Sequence, residues 1–215
     1  MNERVTAIKL FEKMSAGSIE FLFLRNSHQL TDEMLSRGKD IDILVNPKDK
    51  PAAHQLLRAN GFFVDPRFSV RPYLYGVDRF RYYRSLKSNL RIDICFQLTL
   101  ESTNEQREIV PLEKKLQVAA FSTAVVSGEF HWLKQLAPGL RLLYEVSYAM
   151  FNKRGDEEML QKCFEAYSDL SEVEKSTLKM DLETVFFKFT PILIQCIERG
   201  AASQLFNQYI KFRDY

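Results

Sequence analysis

The chain has 215 residues, of which 46% are hydrophobic and 27% are charged, as in an average soluble globular protein. This composition excludes the collagenous, disordered and disulfide-scaffold classes, and the length suffices to bury a core without metal or disulfide staples. The formal net charge is only +2. Any basic surface is therefore local, and nucleic acid is not expected as a partner.

Cysteine usage and hydropathy predict the compartment. The three cysteines, Cys95, Cys163 and Cys196, are widely spaced and form no CxxC pair, which is typical of a reducing environment with small buried thiols. The first residues, MNERVTAIKLFEKM, carry charges throughout and lack the apolar centre of a signal peptide. No run approaches the roughly 18 apolar residues of a membrane span. We therefore expect a cytoplasmic protein with no membrane segment.

The first half of the chain mixes helical and strand-like segments. In chain order these are a helix over 4–16, a strand over 19–25, an alternating strand over 40–45, a helix over 48–60, and strands over 62–64, 79–85 and 90–98, the last two joined by a turn at 87–89. The order lacks the regular strand–helix alternation of a doubly wound fold. It predicts a mixed α/β (α+β) sheet.

The pattern of apolar residues changes in the second half of the chain. Residues 111–137 fit either a short hairpin about Ser127-Gly128 or a helix over part of the stretch. From Pro138 onward the apolar spacing predicts only helices, over 140–151, 157–170, 173–189 and 203–212. We therefore predict two domains, an α/β domain over 1–137 and a helical domain over 138–215.

The most informative motif is GKDIDI at residues 38–43. On an extended strand Asp40 and Asp42 point the same way with Cα atoms about 6.5 Å apart, which lets two carboxylates share one or two divalent cations. Two charges on an otherwise apolar strand are costly unless a positive group compensates them. Asp93 has a similar setting in the 90–98 strand. If the two strands are neighbours, three carboxylates converge.

Such a cluster suits Mg²⁺, a hard ion that proteins bind with a few carboxylates, water and substrate phosphate. With two ions, one activates an attacking hydroxyl and the other steadies the leaving pyrophosphate of an in-line displacement. The alternative is that Asp40 and Asp42 are ordinary solvent-facing residues of a half-exposed strand.

These segments resemble the nucleotidyltransferase superfamily typified by DNA polymerase beta. Its pattern is a strand ending in a small-residue turn, a strand of the form hydrophobic-Asp-hydrophobic-Asp-hydrophobic, and a third acid on a later strand. The matching segments are FLFLRNS at 21–27, KDIDILV at 39–45 and LRIDICF at 90–96. More narrowly, LRNS followed by GKDIDILV resembles bacterial nucleotidyltransferase-like proteins encoded near polysaccharide biosynthesis genes. The resemblance covers residues 19–98.

The resemblance implies that Asp40 and Asp42 are the metal-binding pair. Asp93 would be the third carboxylate, which assists metal binding or deprotonates the acceptor hydroxyl. The turn departs from the family pattern, because Asn26-Ser27 stands where Gly-Ser or Gly-Gly is usual and Lys39 stands where Ser is common. Asn tolerates the left-handed conformation, and Ser27 can hydrogen-bond a phosphate.

A basic stretch between residues 67 and 91 has Asp78 as its only acid. Its basic residues are Arg67, Arg71, Arg79, Arg81, Arg84, Lys87 and Arg91. Arginines beside a metal cluster suit the phosphates of a nucleoside triphosphate. Interleaved arginine and tyrosine also suit single-stranded nucleic acid, and a solvated edge strand protected by charge is the third interpretation. The predicted nucleotide-binding set is Arg25, Asn26, Ser27, Lys39, Arg79, Arg81 and Arg91.

The expected function is Mg²⁺-dependent transfer of a nucleoside monophosphate from an NTP to a small hydroxylated acceptor, for which the resemblance points to a sugar or sugar phosphate. Two alternatives stay open. One is a non-catalytic module of the same fold that binds a nucleotide or a partner. The other is a toxin-like transferase that modifies protein or RNA.

Overall fold

The computed structural model describes residues 3–30, 40–68, 74–84, 90–103 and 108–213. Within these ranges the chain divides into two compact units, one formed by residues 1–98 and 120–136 and the other by residues 99–119 and 137–215. The stretch 99–119, which the sequence analysis assigned to the first domain, lies in the second unit. The mixed α/β class predicted from the sequence is confirmed.

The first unit holds a mixed sheet of seven strands among the described residues. Its strands are β1 (Phe21–Arg25), β2 (Ile41–Val45), β3 (Phe63–Val64), β4 (Arg79–Tyr83), β5 (Arg91–Cys95), β8 (Val125–Val126) and β9 (Lys134–Gln135). They lie in the order β3-β4-β5-β2-β1-β9-β8, with β2 parallel to β5, β1 parallel to β9 and the other neighbours antiparallel. The central strands β5, β2 and β1 thus come from the segments that carry the candidate carboxylates and the turn.

One face of this sheet carries the core of the first unit. Helices α1 (Glu3–Ala16) and α2 (Lys50–Ala59) contribute apolar side chains to the same buried cluster as Ile41, Ile43 and Val45 of β2. Because side chains alternate along a strand, the intervening Asp42 points to the opposite face. The alternation of the β2 sequence therefore fixes which face of the sheet is apolar and which carries charge.

The second unit contains mainly helices. Its described elements are β6 (Thr99–Glu101), β7 (Ile109–Pro111), the first part of α3 (Lys114–Ser122), α4 (Pro138–Phe151), α5 (Glu157–Ser168), α6 (Glu172–Phe186), α7 (Thr190–Glu198) and α8 (Ala202–Arg213). Helix α4 packs against α5 and α6 and buries most of its side chains. Helix α6 begins with a capping box between Ser171 and Glu174, which satisfies two backbone N–H groups of its first turn.

Several sequence predictions differ from the structure in detail. The stretch 111–137 contains both predicted alternatives, helix α3 and the antiparallel strands β8 and β9. The predicted helix over 173–189 ends at Phe186 and is followed by a short 3₁₀ turn, Phe187–Phe189. Helix α7 is absent from the predicted helices, because a proline such as Pro191 commonly separates two helices. In the structure Pro191 occupies the first turn of α7, where a missing N–H costs nothing.

The three cysteines are buried free thiols, as predicted. Burial raises the pKa of the Cys95 and Cys163 thiols to about 12. None of the helices among the described residues combines the length and the apolarity that a bilayer span requires.

Gly155, between α4 and α5, supplies a test of packing in the second unit. Its φ is +81°, and a Cβ there would lie 2.2 Å from Cβ of Phe206. Gly155→Ala should therefore lower the free energy of unfolding by about 2–4 kcal/mol, through overpacking and backbone strain. Gly139→Ala is the matched control, because its Cβ would meet nothing closer than 3.9 Å. The free energies of unfolding can be measured by urea denaturation. Equal values for the two variants would contradict the close packing of Gly155 against Phe206.

Candidate active site

The three candidate carboxylates meet where β2 and β5 lie side by side. The expectation that these two strands are neighbours is confirmed, and their register pairs Asp42 directly with Asp93. The next strands continue the row, because Arg25 on β1 is opposite Asp42 and Arg81 on β4 is opposite Asp93. Four charges, negative on the two inner strands and positive on the two outer ones, thus cross four adjacent strands in the order Arg81-Asp93-Asp42-Arg25. We call this set the charge row.

Each aspartate of the site contacts a guanidinium group. Arg25 Nη2 lies 2.9 Å from Asp42 Oδ2. Arg81 bonds Asp93 with two nitrogens, Nε to Oδ1 at 2.7 Å and Nη2 to Oδ2 at 3.0 Å. The same Nη2 atom lies 2.6 Å from Oδ2 of Asp40, the residue just before β2. One nitrogen of Arg81 is therefore held between the carboxylates of Asp40 and Asp93.

These ion pairs are largely withdrawn from water. The side chains of Asp42 and Asp93 are only 8% and 4% exposed. The interpretation of Asp42 as a solvent-facing residue is therefore wrong. The exposed-edge interpretation of the arginine-rich strand is also wrong, because β4 lies between β3 and β5 and the side chains of Arg79 and Arg81 are 18% and 23% exposed.

Burial changes the proton affinity of the aspartates. Desolvation raises the pKa of Asp42 to about 6, against the opposing charge of Arg25. The pKa of Asp40 is also raised, by burial and then by the negative charge of Asp93. Ionisation of Asp42 thus costs the folded state free energy, so this group stabilises the fold most below about pH 4 and less as the pH rises through 6. At pH 7 its carboxylate is still mainly ionised.

The pKa of Arg81 at the centre of the site is also raised, which in an arginine favours the charged form. Burial alone would lower the pKa of Arg81, but its hydrogen bond to Asp93 and the charges of Asp93 and Asp40 raise it above the ordinary value. Arg81 and Arg79 both lie over the ring of Phe68, at 4.2 and 5.2 Å from its centroid, and Arg79 Nη2 is 3.6 Å from Asp93. Phe68 was missed by the sequence analysis, since nothing in its neighbourhood distinguishes it from a core residue.

The turn after β1 contains a residue in the left-handed conformation, which glycine adopts most easily and asparagine tolerates. Asn26 has a φ of +59°, and its Nδ2 donates to the backbone oxygen of Asp40 at 2.7 Å. This bond ties the turn to the residue that opens the DxD strand. Ser27 follows, and its Oγ accepts a hydrogen bond from Gln135 on β9 at 2.5 Å. Because the Ser27 oxygen is the acceptor, its hydroxyl hydrogen can still donate to a ligand.

Arg91 and Lys39 are the remaining members of the predicted nucleotide-binding set. Arg91 is the first residue of β5, and its charge lowers the pKa of Asp40 against the dominant effect of burial. Lys39 lies outside the described residues. The structure thus brings together Asp40, Asp42, Asp93, Arg25, Asn26, Arg79 and Arg81 through contacts or neighbouring strand positions.

The donor set has the chemistry that Mg²⁺ prefers, but guanidinium groups contact its oxygens. Among the residues that the structure describes, no three carboxylates, imidazoles or thiols stand in a metal-binding arrangement. Mg²⁺ commonly uses only one or two protein carboxylates together with water and phosphate oxygens. Asp40 Oδ1 is buried and has no hydrogen-bond partner in the described part of the chain. One acceptor of the site is therefore available to a cation without breaking any described hydrogen bond.

Comparison of the chain with protein-family models, with curated proteins and with solved structures gave no match. The resemblance to nucleotidyltransferases thus stays an interpretation of the sequence motif. The geometry above is independent of it.

Removal of Arg81 tests how strongly the charge row depends on that residue. Arg81→Met leaves the carboxylate of Asp93 buried and bonded to no guanidinium except the more distant Arg79 among the contacts described. We expect a loss of roughly 2–4 kcal/mol in the free energy of unfolding, because a broken ion pair leaves an uncompensated buried charge. Denaturation can be followed by the fluorescence of Trp132, the only tryptophan of the chain, which lies in the core of the same unit.

The matched control is Arg58→Met on the exposed surface of α2, where a change within about 0.5 kcal/mol is expected. The double variant Arg81→Met/Asp93→Asn should recover part of the loss, since the buried charge is then removed as well. Equal effects of Arg81→Met and Arg58→Met would contradict the structural importance of the charge row.

Proposed function

We propose that the protein is a Mg²⁺-dependent nucleotidyltransferase that moves a nucleoside monophosphate from an NTP to a small hydroxylated acceptor. The observation that carries this proposal is the side-by-side placement of Asp42 and Asp93 on parallel strands, with Asp40 close enough that one nitrogen of Arg81 contacts both Asp40 and Asp93. Buried acids that already hold a cationic group between them are chemically suited to hold a metal ion.

Asp40 and Asp42 would hold one or two Mg²⁺ ions, with Asp93 as the third carboxylate. When bound, the metal supplies neutralisation of the charge on the triphosphate. A cation that uses Asp40 Oδ2 as well as the unbonded Oδ1 would replace Arg81 at Oδ2. The contacts of Arg81 with Asp93 and with the ring of Phe68 would keep its guanidinium near the site. A released guanidinium beside the carboxylates is placed to contact the phosphates, together with Arg25 and Arg79.

The chemical step would be an in-line displacement at the α-phosphorus. A bond forms between that phosphorus and the acceptor oxygen, and the bond to the pyrophosphate oxygen breaks. Asp93 would complete the metal site or take the proton of the acceptor hydroxyl, and Ser27 would donate a hydrogen bond to a phosphate oxygen. The catalytic contribution of the chain is then positioning and charge stabilisation. A sugar or sugar phosphate is the acceptor class that we propose.

One observation favours a second candidate, a non-catalytic module that binds a nucleotide or a partner. All three aspartates are ion-paired with arginines in the structure. If these pairs are permanent, the charge row holds the sheet together and no metal binds. The two candidates make opposite predictions about metal dependence. Single-stranded nucleic acid is not proposed as a ligand, because Arg79 and Arg81 of β4 pair with the carboxylates of the site and are largely withdrawn from water.

Thermal unfolding with nucleotides separates these candidates. Each of the four NTPs should be tested with Mg²⁺ and with EDTA, on wild type, on Asp40→Asn/Asp42→Asn and on the control Asp169→Asn, an exposed carboxylate of the second unit. Ligand at about 100 times its Kd stabilises a fold by about 2.7 kcal/mol, which is a shift of several degrees in a chain of this size. We expect at least one NTP to give such a shift in wild type and in the control with Mg²⁺ only.

Pyrophosphate release then distinguishes a transferase from a binding module. The stabilising NTP is incubated with sugars and sugar phosphates, and release is expected in wild type but not in the double variant. A shift that persists in EDTA, or a metal-dependent shift without release for any acceptor, would favour the binding module. If none of the four nucleotides shifted the melting temperature, the result would contradict a nucleotide site.

A further inference from the structure

The second unit contains a cavity of about 510 Å³ that is lined only by its own residues. The lining comes from β6, β7, the ends of α4 and α6, and the last turns of α8. This volume lies within the range of roughly 300–1,000 Å³ that is typical of small-molecule sites. None of the residues of the charge row takes part, so the cavity is a separate feature of the fold.

Aromatic side chains form a large part of the cavity wall. Phe151 of α4 and Tyr209 of α8 meet edge to face with their ring centroids 5.5 Å apart, and both line the cavity. Phe187, just beyond α6, contributes a third ring, and Leu100 and Val185 add aliphatic surface. A wall of this kind offers stacking and edge contacts to a flat ring.

Hydrogen-bond donors cluster at Thr103 on the same lining. Arg213 Nη1 donates to Thr103 Oγ1 at 3.1 Å, and the hydroxyl of Tyr209 is also hydrogen-bonded to Thr103. A guanidinium and two hydroxyl groups within one network are suited to an anionic oxygen.

Two acids also line the cavity. Glu113 has an ion pair with Lys115 at 3.4 Å, and Glu101 is the acid that a cationic ligand would contact.

Phe187 has an unusual conformation for a residue with a side chain. It ends α6 with a φ of +49° and a ψ of −129°, a region that glycine reaches easily and other residues rarely adopt. Its side chain is 72% exposed, so the strain is not offset by burial in the core. Strained residues of this kind cluster at ligand sites. If the turn were the only requirement at position 187, a glycine would form it without strain.

We propose that this cavity binds a planar aromatic molecule that carries one anionic group, with the ring among Phe151, Phe187 and Tyr209 and the anion on Arg213 and Thr103. The proposal does not depend on nucleotidyl transfer by the first unit. Apolar walls supply most of the affinity of such a site, and the few polar groups fix the orientation of the ligand.

Calorimetric titration of the full chain with naphthalene-2-carboxylate tests the proposal. Naphthalene-2-carboxamide is the neutral analogue, 2-naphthylmethylamine the cationic one, and decanoate the aliphatic anion. The carboxylate should bind at least about tenfold more tightly than the other three probes, as expected for a charge-assisted hydrogen bond. Arg213→Gln should weaken carboxylate binding by about tenfold, and the exposed control Arg199→Gln should leave it unchanged.

Phe187→Gly tests whether Phe187 serves ligand binding or only the stability of the fold. The substitution removes a ring from the cavity wall and relieves the backbone, so it should weaken carboxylate binding while raising the melting temperature of the free protein. Lys188→Gly, at the next exposed position, should lower the melting temperature and leave binding unchanged. Absence of heat with every probe would overturn the proposal. So would preferential binding of the amine that is lost in Glu101→Gln, because the cavity would then select cations.

Discussion

Two aspartates that face each other across parallel strands repel, and burial makes each charge costly unless a positive group lies within hydrogen-bond distance. The central sheet meets this constraint by flanking Asp42 and Asp93 with Arg25 and Arg81 on the outer neighbours of the same row. The opposite face of the same strands is purely apolar and carries α1 and α2. The sheet therefore has one face that holds the fold together and one that concentrates charge.

The same arrangement limits what the site can do. A permanent set of ion pairs is structural, whereas a set that exchanges a guanidinium for a metal ion becomes a nucleotide site. Arg81 is the residue on which this choice depends, because its Nη2 contacts both Asp40 and Asp93. The turn at Asn26 also holds the backbone of Asp40. Asp40 is therefore positioned both by the end of β1 and by the start of β2.

Much of this architecture follows from local sequence patterns. The alternation in residues 40–45 predicts which face of β2 joins the apolar core, and the tolerance of Asn for the left-handed conformation predicts the backbone of Asn26. The contacts of Arg81 with Phe68 and with Asp40 depend on strand order and side-chain packing across long sequence separations, which no local pattern encodes. Likewise, Pro191 fits equally a gap between helices and a helix start, and only the packing of the second unit distinguishes them.

The central claim is that the carboxylates of Asp40, Asp42 and Asp93 exchange a guanidinium for a divalent cation when a nucleotide binds. Electron paramagnetic resonance of Mn²⁺, which shares the oxygen ligands of Mg²⁺, observes this exchange directly. In the presence of an NTP, the wild-type protein should change the Mn²⁺ spectrum, and Asp40→Asn/Asp42→Asn should leave the spectrum of the free Mn²⁺–nucleotide complex. Identical spectra with wild type and the double variant would contradict the claim and leave the charge row as a structural element alone.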